Sequence, residues 1–171
     1  MAISPYLAKL RRSVGHDLVL LPSVAVVPRD ADGRILIVRS RESGHWQTIG
    51  GAVDPDEAPT DAARREALEE VAVTLEIGAV LAVLGGPEFR VTYVNGDQVA
   101  YMVCVFDAWI TAGEPHADRE EISEVAWRAP SEFSSIDFNQ LNRTLIDAVL
   151  PVLPGAASQV PPGGIEPPLR P

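Results

Sequence analysis

The stretch from Gly50 to Val73, GGAVDPDEAPTDAARREALEEVAV, constrains this chain more than any other. Within it Glu66, Glu69 and Glu70 fall at i, i+3 and i+4, so a helix would project all three carboxylates from one face. Like charges at that spacing repel, and the only nearby cations are Arg64 and Arg65. Three adjacent carboxylates supply hard oxygen ligands suited to Mg²⁺ or Mn²⁺, and a bound cation would remove the repulsion. Upstream, Gly50-Gly51 gives a backbone that can approach a ligand closely and offer a carbonyl at the same place. A Glu-rich helix taken alone is most simply a solvated face. The fixed Gly, Glu and Arg around this one argue for a site.

Those residues carry a family resemblance. The Nudix box reads Gly, five residues, Glu, seven residues, Arg-Glu, an aliphatic, any residue, Glu-Glu, any residue, Gly, an aliphatic. Gly51, Glu57, Arg65-Glu66, Ala67, Glu69-Glu70 and Val73 stand at those places. Ala67 is a small stand-in for the aliphatic, and Ala72 replaces the last Gly. Both departures bear on packing and helix ending rather than on chemistry. The chain thus resembles a Nudix hydrolase.

The resemblance implies a fold, a reaction and a set of roles. The fold is an α/β/α sandwich with a central mixed β-sheet. The reaction is metal-assisted hydrolysis of the diphosphate linkage in a nucleoside diphosphate joined to another group, whether a nucleotide sugar, ADP-ribose or a nucleoside triphosphate. Glu66, Glu69 and Glu70, with the Gly51 carbonyl, are expected to hold one or more Mg²⁺ or Mn²⁺ ions. Arg65 is expected to orient or charge-balance the cluster, and Glu57 to stand behind the metal ligands or at the outer edge of the metal site. The general base is either Glu66 or a residue on a loop outside the box, where Glu120 and Glu121 are the candidates. The competing reading is a catalytically silent Nudix domain that senses nucleotides or binds a protein. Such domains usually lose box carboxylates, and this chain keeps them all.

Length and charge set the outer bounds. The 171 residues are most simply one domain, expected over 1–154, and long enough to bury a substantial core. A formal net charge of −10 argues against a general nucleic-acid backbone binder, which would show a basic stripe. It leaves a nucleotide-type small molecule open as substrate, because a bound divalent cation supplies local positive charge. Cys104, the only cysteine, excludes an internal disulfide and reads as a small buried hydrophobe. With no signal peptide and no long apolar run, no membrane association is expected, and the location expected is cytoplasmic. A homodimer is left open.

Along the chain, 4–14 reads as an amphipathic helix, with Lys9, Arg11 and Arg12 on a solvated side. Leu18–Val27 is strand, with Pro22 marking a break or an edge, and DADGR at 30–34 is a hairpin turn before strand Ile35–Val38. Trp46 reads as core or pocket wall, and His16, His45 and His116 are isolated. Pro59 suits the first turn of a helix running to about Val73. Glu76–Leu84 and Phe89–Val94 are extended, Asn95-Gly96 signals a hairpin, and Val99–Ile110 reads as a central strand. A loop over 111–119, a strand Ile122–Arg128, a short helix near 131–133 and a terminal helix over 138–153 follow. The Pro- and Gly-rich segment 155–171 offers little to bury and reads as a disordered tail.

Overall fold

Strands β1 (Val19–Pro28) and β2 (Ile35–Ser40) explain the layering. Successive side chains of a strand point to opposite faces, so an unbroken apolar run supplies core residues to both sides. Val24, Val26, Leu36 and Val38 enter one core, while Ala25, Val27, Ile35 and Ile37 enter a second on the opposite face. Helix α1 (Pro5–Val14) comes before β1, and helix α2 (Pro59–Val71) closes the first core with Ala62, Ala63, Ala67 and Val71. Helix α3 (Gln140–Val149) closes the second with Leu145, Ile146 and Val149. The outcome is the α/β/α sandwich expected from the sequence. The computed structural model describes residues 4–153, and the expected tail at 155–171 lies outside the described residues.

The middle layer is mixed and divides into two hydrogen-bonded sheets. β4 (Thr74–Leu84), β5 (Arg90–Thr92) and β6 (Gln98–Ala112) join β1 in the first. There β1 runs parallel to β6, while β4 and β5 run antiparallel to it. β6 is therefore central, and Pro22 sits on the outermost strand, where its missing N–H breaks no ladder. The second sheet is antiparallel, with β2 between β3 (Trp46–Gln47) and β7 (Ile122–Arg128). Bridges Ser23–Ala52 and Val26–Ile49 stitch the approach to the box onto β1.

Three local features shape the surroundings of the box. α2 stops at Val71, and Ala72 adopts a left-handed conformation with φ 56° and ψ 36°. The Ala72 and Val73 N–H groups donate back to the Leu68 and Ala67 carbonyls, the helix-closing pattern usually built on glycine. The Asn95-Gly96 turn joins β5 to β6 with Gly96 at φ 90° and the Tyr93 N–H donating to the Asp97 carbonyl. α1 is capped by the Ser4 hydroxyl, which accepts from the Leu7 N–H. Arg11 departs from the expected solvated face: its side chain is only 9% exposed. It donates to the Gly15 and Asp17 carbonyls and, at 2.8 Å, to the Gln98 carbonyl at the start of β6.

Candidate active site

The box folds as loop, helix, loop, and Arg65 ties its parts together. Its Nε donates to Glu57 Oε1 at 2.8 Å and its Nη2 to Glu57 Oε2 at 3.0 Å. The same guanidinium reaches Glu66 Oε1 at 2.7 Å, Glu69 Oε2 at 3.2 Å and the Ala52 carbonyl at 3.1 Å. A rigid fork with five donors suits this task, which a lysine could not perform. The contact with Arg65 holds the Glu57 carboxyl below its ordinary value. Glu57 also accepts from the Asp54 N–H. Glu57 has both oxygens engaged inside the protein, where it fixes Arg65 behind the carboxylates.

The helix face separates the other carboxylates by depth. Glu70 is 4% exposed and Glu66's side chain 13% exposed, while Glu69's is 59% exposed. Burial pushes the Glu70 carboxyl well up, and the charge of Glu66 adds to this. Burial likewise raises Glu66, against the pull of Arg65. Glu70 Oε2 accepts one long hydrogen bond, 3.3 Å, from the Gly50 N–H. The Gly51 carbonyl, expected among the metal ligands, accepts here from the Val24 N–H at 2.9 Å and the Ser23 hydroxyl at 2.8 Å. What Gly51 contributes is room: a Cβ there would fall 2.3 Å from Glu66 Oε1. At Gly50, φ is +153° and a Cβ would fall 2.2 Å from the Val24 carbonyl oxygen, so only glycine brings this N–H to Glu70.

The loop before β7 completes the site. The His116 and Asp118 N–H groups donate to the Val71 and Glu70 carbonyls, which docks this loop on the end of α2. Asp118 Oδ1 in turn accepts from the backbone N–H groups of Glu120, Glu121 and Ile122. Glu121 is half-buried and close enough to raise the pKa of both Glu66 and Glu70, while Glu120 is exposed. Both line a cleft of about 890 Å³ together with Arg65, Glu66, Glu69 and Glu70.

The chemistry of this donor set fits a hard divalent cation. The acidic groups are oxygen donors, two of them desolvated, and no cysteine or histidine lines the cleft. Among the described residues no three such side chains already converge as a cage. The reason is visible: Arg65 draws Glu66 and Glu69, while Glu70 turns to Gly50.

Sequence reasoning missed Asp118 and both halves of the cleft wall opposite the carboxylates, namely α1 and the Tyr93–Tyr101 pair. Asp118 carried a signal in its short polar side chain just ahead of a tight loop. The other two did not, because only the folded chain brings them to the box. Trp46 packs on the second core, as expected of a core residue, and Cys104 is half-buried against the first. His16 and His45 pair with Asp97 and Asp137, and His116 with the Glu114 carbonyl.

A family model described as NUDIX domain matches residues 19–149. A nucleoside triphosphatase, NudI, of an Enterobacter species is 32% identical over 103 residues, 58% of this chain and 72% of that protein. A putative 8-oxo-dGTP diphosphatase of Bacillus subtilis is 30% identical over 105 residues, 61% of this chain and 64% of that protein. Among solved structures, a UDP-X diphosphatase aligns with TM-score 0.66 at 19% identity, over 89% of this chain and 71% of that one. A MutT protein from Methanosarcina mazei aligns with TM-score 0.62 at 21% identity, over 77% and 93%. At those identities the two structures bear on the fold alone. No helix among the described residues is long and apolar enough to cross a membrane.

Proposed function

Since the chain belongs to the Nudix family of hydrolases, we propose that it cleaves a phosphoanhydride bond of a nucleoside triphosphate with the help of Mg²⁺ or Mn²⁺. One observation carries the reading. Glu70, buried, and Glu66, half-buried, on successive turns of α2, border a cleft whose lining is rich in carboxylates. Arg11 and Arg65, the arginines that line it among the described residues, are both hydrogen-bonded within the protein. A polyphosphate enters such a cleft only with cations to offset the repulsion.

Glu66, Glu69 and Glu70 are the proposed ligands, with side chains rotating from their present partners onto the ion. A divalent cation bound there supplies phosphate neutralisation and a lowered pKa for water. Arg65, clamped by Glu57, keeps the box loop against α2 and holds Glu66 and Glu69 at the cleft. Glu121 is the proposed proton acceptor, because it is half-buried and electrostatically coupled to Glu66 and Glu70. Glu66 is the alternative within the box, and Glu120 is the more exposed neighbour.

The names of the two relatives, nucleoside triphosphatase and 8-oxo-dGTP diphosphatase, favour triphosphates over nucleotide sugars and ADP-ribose. Product release from a panel of ordinary and oxidised nucleoside triphosphates, nucleotide sugars and ADP-ribose, in Mg²⁺, Mn²⁺ or EDTA, tests this. Metal-dependent turnover of at least one triphosphate is expected. Turnover confined to nucleotide sugars or ADP-ribose would overturn the substrate class, and undiminished turnover in EDTA would overturn the metal.

A further inference from the structure

We propose that α1, which precedes the matched region 19–149, forms the wall of a nucleobase subsite and sets which base the enzyme accepts. The inference rests on the proposed nucleotide substrate and adds the element that selects among nucleotides. The cleft that holds the carboxylates at one end continues to α1 at the other. Leu7 of α1 lines that end together with Leu21, Val99, Tyr93 and Tyr101.

The two ends differ in charge, and that difference orients the substrate. At the α1 end, Arg11 and Asp97 face each other at 3.6 Å, and Asp97 also pairs with His16 at 2.7 Å. These groups offset one another. Among the described residues no cation lining this end stands ready for a phosphate, and the acidic end needs one supplied. The phosphates therefore belong with the carboxylates, and the uncharged part of the substrate belongs at α1.

The polar groups in the lining there, Ser4, Arg11, Asn95 and Asp97, are engaged with one another or with the backbone. The lining therefore favours a flat, largely apolar group over a sugar. Leucine, valine and tyrosine side chains present faces and edges on which a base can lie, whereas a second sugar would need a ring of polar partners. The Tyr93 and Tyr101 hydroxyls share one hydrogen bond at 2.5 Å, which leaves the pair one O–H to donate elsewhere. That donor suits a ring nitrogen or carbonyl of a base. α1 itself buries no residue completely, so its position depends on Arg11, which pins it to the Asp97 turn and the start of β6.

Leu7→Trp in the full chain tests the proposal by filling the subsite, with Leu7→Met as the conservative control. The readout is kcat/KM for the preferred nucleoside triphosphate divided by that for ribose 5-triphosphate, which lacks the base. This ratio should fall by at least about tenfold in Leu7→Trp, mainly through KM, and return to within about threefold of wild type in Leu7→Met. A second readout needs neither metal nor turnover. Free nucleosides added in EDTA should shift the NMR methyl signals of Leu7, Leu21 and Val99, and less so in folded Leu7→Trp. A folded Leu7→Trp protein with an unchanged ratio, or one losing both substrates equally, would overturn the subsite. Methyl signals that ignore every nucleoside would do the same. Nucleoside shifts in a protein that hydrolyses no nucleotide would support the subsite while defeating the triphosphatase reading.

Discussion

Arg65 grips Glu57 through two near-parallel hydrogen bonds, across the eight positions that separate the box loop from the second turn of α2. This leaves its Nη1 for Glu66 and Glu69. Lysine keeps the charge and loses the fork. Arg65→Lys is therefore expected to lower kcat/KM by about 10- to 100-fold while the protein stays folded. Glu57→Gln should act in the same direction. The double variant should be little worse than Arg65→Lys alone, because both changes break one contact. Steady-state kinetics on the three variants checks this, and multiplicative losses would contradict it.

Ala72 holds a left-handed conformation that an L side chain adopts only at some strain. Ala72→Gly removes that strain but adds freedom to the unfolded chain. The net expectation is a gain of about 0.5–1 kcal/mol, or roughly 1–4 °C in Tm for a chain of this size. Thermal melts of the two proteins test it. A lower Tm for Ala72→Gly would show that the helix end is not strained.

Gly51 faces Glu66 so closely that any side chain must displace that carboxylate. Gly51→Ala should reduce metal-dependent turnover on the order of tenfold or more, because ligand placement matters at sub-ångström scale. Wild-type kcat at saturating Mg²⁺ in a folded Gly51→Ala protein would remove Glu66 from the proposed ligand set.

The buried acids also set how the metal-free protein responds to pH. The folded-state pKa of Glu66 and of Glu70 lies above the ordinary 4.5, with burial as the first cause. Between the ordinary and the raised values the folded state binds more protons than the unfolded one, so stability falls as pH rises through that window. In EDTA, Tm should therefore decline as pH is raised above about 4.5. Glu70→Gln should flatten that decline. Glu57, held low by Arg65, acts in the opposite sense and only at lower pH, where acid removes its contribution. A metal-free Tm that climbs steadily from pH 5 to pH 8 would contradict the burial of these acids.

The helix, its shared carboxylate face and the two-sided strands were legible because each depends on spacing within one segment. Glu66 and Glu70 are four residues apart, and the continuous apolar stretches of β1 and β2 are visible within ten and six residues. The partners of Glu57 and Gly51 were not legible in the same way. Glu57 meets Arg65 because the box loop folds back on α2, and the Gly51 carbonyl meets Val24 because β1 passes beside it. Arg11 reads as a surface cation until the fold brings the Gln98 carbonyl, 87 positions away, to its guanidinium. Tertiary proximity decided each of these, and periodicity carries no record of it.

The carboxylates of α2 are proposed to hold a divalent cation for hydrolysis, and everything else in the proposed mechanism depends on this. Turnover of the preferred nucleoside triphosphate by Glu70→Gln, measured against wild type over a range of Mg²⁺ concentrations, tests it most directly. The side chain keeps its shape and loses its charge. The metal-free variant should melt no lower than wild type, since a buried charge has been removed. Its kcat should fall on the order of 10²-fold or more at any Mg²⁺ concentration. A folded Glu70→Gln protein that turns over at near wild-type rate with the same Mg²⁺ dependence would contradict the claim.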